Sequence, residues 1–314
     1  MKYEINGQTL IDIASGIRDK TETTKKLTTS QIIEQISENW LHKDPATDII
    51  DGSITEYSDD TRTYIGSYAF IGCSNLSNVS LPNCSKISAA AFSNCTKLKD
   101  IYIPNCSSLQ NLAFRDCESL LSIHLPLIKI LPTQTFTNCT NLSIVDILQC
   151  TSIANSYVFS NCINLLSVNF PLCTTIGANA FAGCTKLSDI NFPECTYINT
   201  HAFSGCTSLI SVNFPKCTFM AGGGNFQNCT NLTTANFPVC SNIYGNAFAK
   251  CINLTSVNFP ECINISAYAF SECSSLISVN FPKCISLSSY AFYKCTNLTD
   301  VYLPECTNIS HGAF

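Results

Sequence analysis

Residues 248–270 read FAKCINLTSVNFPECINISAYAF, a segment that begins and ends on phenylalanine. The same spacing of residue types recurs along most of the chain, so that phenylalanine returns every 22 or 23 residues. The repeating phenylalanines are Phe70, Phe92, Phe114, Phe136, Phe159, Phe181, Phe203, Phe226, Phe248, Phe270, Phe292 and Phe314. A fixed period of this length indicates one small structural unit stacked on copies of itself, which is a solenoid.

Each unit carries further fixed positions, which we number from its phenylalanine. Leucine follows at +6, valine or isoleucine at +9, a large apolar side chain at +11 and another apolar side chain at +17. In the run Val257-Asn258-Phe259 the apolar residues alternate with a polar one, so +9 and +11 are predicted to face the core from a short strand and +10 to face solvent. Proline at +12 cannot donate to a sheet and should end that strand.

The segment Leu254–Cys262 has the form LxxLxLxxC, which is typical of a leucine-rich repeat. We therefore predict a leucine-rich-repeat solenoid with a parallel β-sheet on its concave face. The return to the next phenylalanine contains few strong helix formers, so the convex face is expected to hold turns and short 3₁₀ or one-turn helical pieces. Gly222, Gly223 and Gly224 lack the lysine and the following helix of a phosphate-binding loop, and they predict a looser turn in one of the 23-residue units.

Residues 1–44 do not follow the repeat and are predicted to form a small two-helix module. Leu10, Ile13 and Ile17 fall at helical spacing in the first helix, and the second is expected over about residues 30–40. Two such short amphipathic helices cannot bury much core by themselves, so they should pack on the solenoid or on a partner.

The remaining chain divides at about residue 65. Residues 45–65 are predicted to be a linker and a degenerate capping rung, with Tyr57 at position +9 and Asp59 in place of the apolar side chain at +11. A polar residue at that place suits an end rung, whose outer side faces water. Residues 66–314 are predicted to hold the regular leucine-rich repeats, which have the period of the repeating phenylalanines.

Two resemblances to known families follow from these residues. The run AFSxCTxLxSVNFPxCTxI, present at Ala202–Phe214 and again at Ala269–Phe281, resembles the BspA-like leucine-rich repeat family. That resemblance implies bacterial surface or adhesion-type proteins that bind other proteins or host surfaces without catalysis. Residues 6–36 are similar to a segment near the start of tail-associated proteins from prophages of low-GC Gram-positive bacteria. This second resemblance implies display on a phage particle released by lysis.

All 21 cysteines lie in the repeats, at +3 and at +14. A disulfide framework or a zinc site would be the first interpretation of so many cysteines. The odd count, the uniform spacing and the absence of a CxxC motif favour buried, reduced thiols that pack as small apolar groups. Disulfides between neighbouring rungs remain an alternative, because equivalent positions are close enough in a stack, and metal binding is a weaker one.

Charge and hydropathy exclude some functions. The chain has 17 Lys and Arg against 22 Asp and Glu. The whole excess of acidic residues lies in residues 1–65, so the repeats have no net charge. A neutral surface argues against nucleic-acid binding. Neither a signal peptide nor a membrane-spanning run is seen. We expect synthesis in the cytoplasm, no membrane insertion, and an extracellular, virion or cell-surface location that rests on the family resemblance alone.

A candidate binding strip follows from the +10 positions, which are predicted to line the concave face. Stacked asparagine amides can bond one another as scaffold, or they can form a recognition surface with aromatic contacts at its ends. The strip comprises Tyr102, His124, Asn169, Asn191, Asn213, Asn236, Asn258, Asn280 and Tyr302.

The function predicted from these features is a non-catalytic binding or adhesion module. It would present an uncharged polar concave surface to a protein or a glycan on a cell surface, from a phage tail or a bacterial surface. The alternative is a structural spacer without a specific ligand. No histidine has a nucleophile and a carboxylate at a suggestive position, so no catalytic, cofactor or metal site is predicted. The sequence stops at Phe314, where another rung would begin, so we expect either a shortened chain or an end-to-end dimer through the carboxy-terminal rung.

Overall fold

The structure, a computed structural model, describes residues 53–314. These residues form a parallel β-solenoid of the leucine-rich-repeat type, as the repeat predicted. No helix occurs within this range, and so none there is able to cross a bilayer. The two-helix module predicted for residues 1–44, and the first part of the predicted linker, lie outside the described residues.

One three-residue strand in every rung forms a first set of strands, which we call ladder A. Its register joins equivalent residues of successive rungs, so that Val168 lies opposite Ile190 and Tyr57 lies opposite Val79. Pairing groups the strands into five short parallel sheets, with breaks in the pairing between them. The strands are β1 (Glu56–Ser58), β3 (Asn78–Ser80), β5 (Asp100–Tyr102), β7 (Ser122–His124), β8 (Ile144–Asp146), β10 (Ser167–Asn169), β12 (Asp189–Asn191), β14 (Ser211–Asn213), β16 (Thr234–Asn236), β18 (Ser256–Asn258), β20 (Ser278–Asn280) and β22 (Asp300–Tyr302).

A second set of strands, ladder B, was not predicted from the sequence. It uses positions +16 and +17 of every rung but one, in which Ile130 forms only an isolated bridge. Apolar side chains at +17 pair and face the core, as Ile176 and Ile198 do, although Ile309 in the last strand is exposed. The strands are β2 (Tyr64–Ile65), β4 (Lys86–Ile87), β6 (Ser108–Leu109), β9 (Ser152–Ile153), β11 (Thr175–Ile176), β13 (Tyr197–Ile198), β15 (Phe219–Met220), β17 (Asn242–Ile243), β19 (Asn264–Ile265), β21 (Ser286–Leu287) and β23 (Asn308–Ile309).

Turns surround each repeating phenylalanine, and the 3₁₀ or helical pieces predicted for the convex face are absent from residues 53–314. The residues two before and two after the phenylalanine have positive φ, as Tyr68 (64°) and Gly72 (70°) do around Phe70. The N–H of Phe70 donates to the carbonyl of Ala91 in the next rung at 2.8 Å, and those of Tyr68 and Gly72 bond onward in the same way. Left-handed residues interrupt helical backbone geometry. The N–H groups that would donate within a helix donate instead to carbonyl oxygens of the next rung. The convex helical prediction was therefore wrong.

The core is built around two stacks of aromatic rings. The repeating phenylalanines stack face to face, with ring centroids 5.3 Å apart for Phe159 and Phe181 and 5.2 Å apart for Phe181 and Phe203. A second stack at +11 begins at Phe170 and meets the first edge-on, as Phe192 does against Phe181 at 5.9 Å. These rings are buried except for that of the last residue, Phe314, which is 54% exposed, and this confirms the predicted buried phenylalanine stack. The interior is thus filled by rings, and the surface available for recognition lies on the outward side chains of the ladders.

Candidate functional site

The outward side chains of ladder A form the surface that was predicted to be concave, and we keep the name concave face for it. Because the side chain at +9 of each strand points inward, the residues on either side of it point outward. All nine residues of the predicted strip occupy the third position of their strands. Eight of their side chains are exposed and that of Asn236 is half-buried. The structure thus brings the strip residues into one column.

The asparagines of this column bond one another along the solenoid. The amide of Asn191 donates to the side-chain oxygen of Asn169 at 2.8 Å. Asn258 donates to Asn236 at 2.6 Å, and Asn236 donates to Asn213 at 2.7 Å. The stacked amides thus bond one another across rungs, which is the arrangement that the scaffold alternative requires. They follow the pairing of ladder A, which joins β10 to β12 and β14 to β16 and β18.

Toward the amino-terminal end the column changes character. His124 and Asp146 are equivalent residues of neighbouring rungs, and His124 Nδ1 lies 2.6 Å from Asp146 Oδ2. Both side chains are largely exposed. Ser122 lies on the same strand as His124, yet no hydrogen bond joins their side chains in the described structure. The pair therefore lacks the bonded nucleophile that a Ser-His-Asp arrangement requires.

A second outward column, at +8, was missed in the sequence. Serine or threonine fills half of its positions, and it also holds Asp100, Asp189 and Asp300, all exposed, with Glu56 at the corresponding place in β1. Together with Asp146 these carboxylates make the concave face acidic in parts, so the prediction of an uncharged surface was wrong. The physical reason is that period-two alternation exposes both neighbours of position +9, whereas the predicted strip included only the residue at +10.

Aliphatic side chains border the concave face. Leu121, Leu166, Ile210 and Ile277 occupy +7, immediately before ladder A, and are each about half exposed, from 48% to 58%. Serine or threonine holds the same position in intervening rungs and donates back to the preceding carbonyl, as Ser143 Oγ does to Leu121 at 3.2 Å. The column at +7 thus presents apolar groups at intervals beside the polar and acidic columns.

A surface concavity of about 390 Å³ lies at the amino-terminal end of the concave face. It is lined by β1, β3 and β5 together with Ser122 and His124. Glu56, Asp100 and the exposed ring of Tyr102 contribute its polar and aromatic side chains. This concavity gathers two strip residues, Tyr102 and His124, with two carboxylates that were not in the predicted strip.

The cysteines are all free, and 19 of the 21 are buried, which agrees with the predicted reduced thiols. Burial raises the pKa of Cys106 to about 12 and that of Cys184 to about 12, since a thiolate is poorly stabilised away from water. Within residues 53–314 no three potential ligands come together around a metal position. The thiols of this region are therefore packing groups with little nucleophilic character.

Comparison with known proteins finds leucine-rich repeat proteins, in agreement with the observed fold. Residues 63–175, 151–264 and 222–314 match the BspA type leucine rich repeat region. A leucine-rich repeat protein from Bacteroides ovatus is 26% identical with a TM-score of 0.64, over 82% of this chain and 76% of that one. A leucine rich cell surface protein from Faecalibacterium prausnitzii is 26% identical with a TM-score of 0.51, over 80% of this chain and 79% of that one. The pneumococcal vaccine antigen PcpA shares the fold at 15% identity and a TM-score of 0.50, over 82% of this chain and 78% of that one. The sequence matches no curated protein.

Proposed function

The chain belongs to the BspA-type leucine-rich repeat family, and from this premise we propose that it is a non-catalytic binding module whose concave face recognises a protein on a cell surface. Surface repeat proteins of this kind are generally protein-binding or adhesion modules rather than enzymes. The Faecalibacterium relative is described as a cell surface protein. The surface of the described solenoid itself favours a protein as the ligand.

The observation that carries the proposal is the column of half-exposed aliphatic side chains at +7, beside the concave face. The solenoid leaves about half of Leu166 and of Ile210 exposed to solvent, and a protein partner could bury this apolar surface. A glycan presents mainly hydroxyl groups, so it would bury less of the apolar surface at +7. The carboxylates at +8 beside it favour a partner of complementary charge and disfavour nucleic acid.

Display outside the cell is part of the proposal. The prophage-tail similarity of residues 6–36 supports presentation on a phage tail, and the family supports presentation on a bacterial surface. Immunogold labelling of induced culture supernatants and of intact cells would distinguish the two. Label on tail-bearing particles supports the first, and label on the cell envelope supports the second.

The experiment that tests recognition uses fluorescently labelled protein and a panel of bacterial and epithelial cells, read by flow cytometry. Leu166→Asp and Ile210→Asp should abolish most binding, since each places a charge in the proposed interface. Ile252→Asp is the matched control, because Ile252 is similarly exposed (42%) but lies in a turn rather than next to ladder A. Circular dichroism and thermal melting confirm that each variant is folded.

Treatment of the cells separates the classes of partner. Protease treatment should remove binding, while periodate oxidation of glycans should leave it. Equal loss with Ile252→Asp, or full binding by the folded Leu166→Asp and Ile210→Asp variants, would place recognition elsewhere. The absence of binding to every cell type would favour the alternative, a structural spacer, for which the bonded asparagine column is the supporting observation.

A further inference from the structure

The concavity at the amino-terminal end of the concave face combines three features of a binding site. It has a volume of about 390 Å³, it is bordered by carboxylates, and it contains an exposed aromatic ring. The ring of Tyr102 is 58% exposed. A concave site with a few placed polar groups is the usual form of a specific binding pocket.

The carboxylates of this concavity are available to a ligand. Glu56 and Asp100 occupy the same outward column two rungs apart, which at the spacing of neighbouring strands corresponds to about 10 Å. Asn78 lies between them and donates to Glu56 at 3.1 Å. No ion pair of either carboxylate is found among the described residues. Lys99 precedes Asp100 in the chain but does not line the concavity.

Two other carboxylates near the concavity are already paired. Asp146 is engaged by His124 at 2.6 Å, and Asp59 is engaged by Arg62 at 3.2 Å. The free negative charge facing the concavity therefore comes from Glu56 and Asp100. Tyr102 lies two residues after Asp100 on β5, on the same side of the sheet, so its ring borders the space that Asp100 faces.

We propose that this concavity binds an arginine side chain of a partner protein. A guanidinium group is planar, so it can stack on the Tyr102 ring while its N–H groups donate to Asp100 or Glu56. Lysine would provide the charge without the planar stacking. The proposal deepens the proposed function and rests on it, because it names the anchor by which a protein would be held at one end of the concave face.

The test uses the full chain, isotope-labelled for NMR, and two peptides at low salt. The first is acetyl-Gly-Gly-Arg-Gly-Gly-amide, and the second carries citrulline, which keeps the shape of arginine but has no charge. The arginine peptide should shift the backbone signals of β1, β3 and β5. The citrulline peptide should bind about fivefold more weakly, the scale of an exposed charge interaction.

Three variants localise the effect. Asp100→Asn and Tyr102→Leu should each weaken binding of the arginine peptide by about threefold to fivefold. Asp189→Asn is the matched control, because Asp189 occupies the same column at +8 in a rung outside the concavity, and it should leave binding unchanged. All three positions are exposed, so folding should be preserved, and the melting temperature verifies this.

Several results would overturn the inference. These are equal binding of both peptides, no binding of the arginine peptide, unchanged binding by folded Asp100→Asn, or shifts caused instead by a neutral disaccharide such as lactose. Such results leave the proposed function standing if cell binding still depends on Leu166 and Ile210. Loss of arginine specificity and loss of concave-face recognition are therefore separate outcomes.

Discussion

The thiol of Cys95 donates a hydrogen bond of 3.0 Å to the carbonyl oxygen of Phe70, one rung earlier. The same oxygen accepts the N–H of Cys73 in its own rung at 3.1 Å. The bond from the thiol to the carbonyl recurs along the solenoid. It measures 3.1 Å both for Cys184 with Phe159 and for Cys273 with Phe248. From Cys95 to Cys273 each cysteine at +3 is thus a small buried group that also links two rungs, which accounts for its regular appearance without disulfides or metal.

Thiol reactivity should reflect this arrangement. Titration with an aromatic disulfide reagent at pH 8 should modify few thiols in the native protein, because burial and a raised pKa leave little thiolate. The first to react should be Cys306 and Cys295, which are only partly buried. After denaturation without reductant the count should approach 21. A denatured count near zero would mean that the cysteines form disulfides.

Stability should fall at alkaline pH. In the folded protein the pKa of Cys184 and Cys229 is raised to about 12 by burial, above the ordinary value of 9.0. Between these values an unfolded thiol has lost its proton while the folded thiol keeps it, so the unfolded state is favoured as pH rises. The stability is fully present below about pH 9, and each such thiol contributes a loss of up to about 1.4 kcal/mol per pH unit above it.

Thermal melting between pH 7 and pH 10 measures this effect. The melting temperature should be nearly constant to about pH 8.5 and then fall steeply, since many thiols act together. Replacing Cys184 and Cys229 by alanine should make the fall less steep while lowering stability at neutral pH. A melting temperature that is constant to pH 10 would contradict the buried-thiol interpretation.

Much of this fold follows from the sequence. Alternation at +9 and +11 predicted ladder A, and the period fixed its register, so that Val168 pairs with Ile190. Ladder B was harder to predict, because each of its strands is only two residues long and position +16 varies from Tyr197 to Asn242. Turns on the convex face were predicted correctly, but the helical pieces among them were not, because left-handed residues such as Tyr157 and Leu112 belong to types that rarely adopt positive φ.

The candidate site was partly predictable. The asparagine column stands out because one residue type repeats, and its bonds follow from the register. The pairing of His124 with Asp146 follows from the same register, since both hold +10 in successive rungs. The concavity beside Tyr102 could not be predicted, because it depends on how the first rungs curve and on which side chains at +8 border them. Periodicity specifies which face a residue occupies but leaves the shape of that face open.

Removal of one ring from the central stack should be costly. Phe181 is fully buried between Phe159 and Phe203, so Phe181→Ala should lower the free energy of unfolding by roughly 3–5 kcal/mol. Since each rung contacts only its neighbours, the damage should stay local or split the unfolding transition. Urea denaturation monitored by circular dichroism measures both. Tyr102→Ala, at an exposed ring, should change stability by less than about 0.5 kcal/mol, and an equal effect of the two substitutions would show that the stack is not the core.

Relief of backbone strain should stabilise the protein. Lys250 has a φ of 64° and an exposed side chain, whereas the equivalent position in other rungs is held by Asn94, Asn138 or Asn228. Asparagine tolerates left-handed geometry better, so Lys250→Asn should raise the free energy of unfolding by about 1 kcal/mol. Lys186→Asn, at an exposed residue without positive φ, is the control and should have no such effect. A destabilised Lys250→Asn variant would exclude strain at this position.

The glycine run before Phe226 should be intolerant of side chains. Gly222 has a φ of 64°, and a Cβ added there would overlap the side chain of Thr200. Gly72 has a φ of 70° but no atom within 4 Å of such a Cβ. Gly72→Ala should therefore lower the free energy of unfolding by only about 1 kcal/mol, the cost of holding a residue with a Cβ in the left-handed region. Gly222→Ala should cost roughly 1–3 kcal/mol more, because the neighbouring rung must shift. Urea denaturation of the two variants compares them directly, and equal losses would mean that the turn at Gly222 is loose enough to accommodate the methyl group.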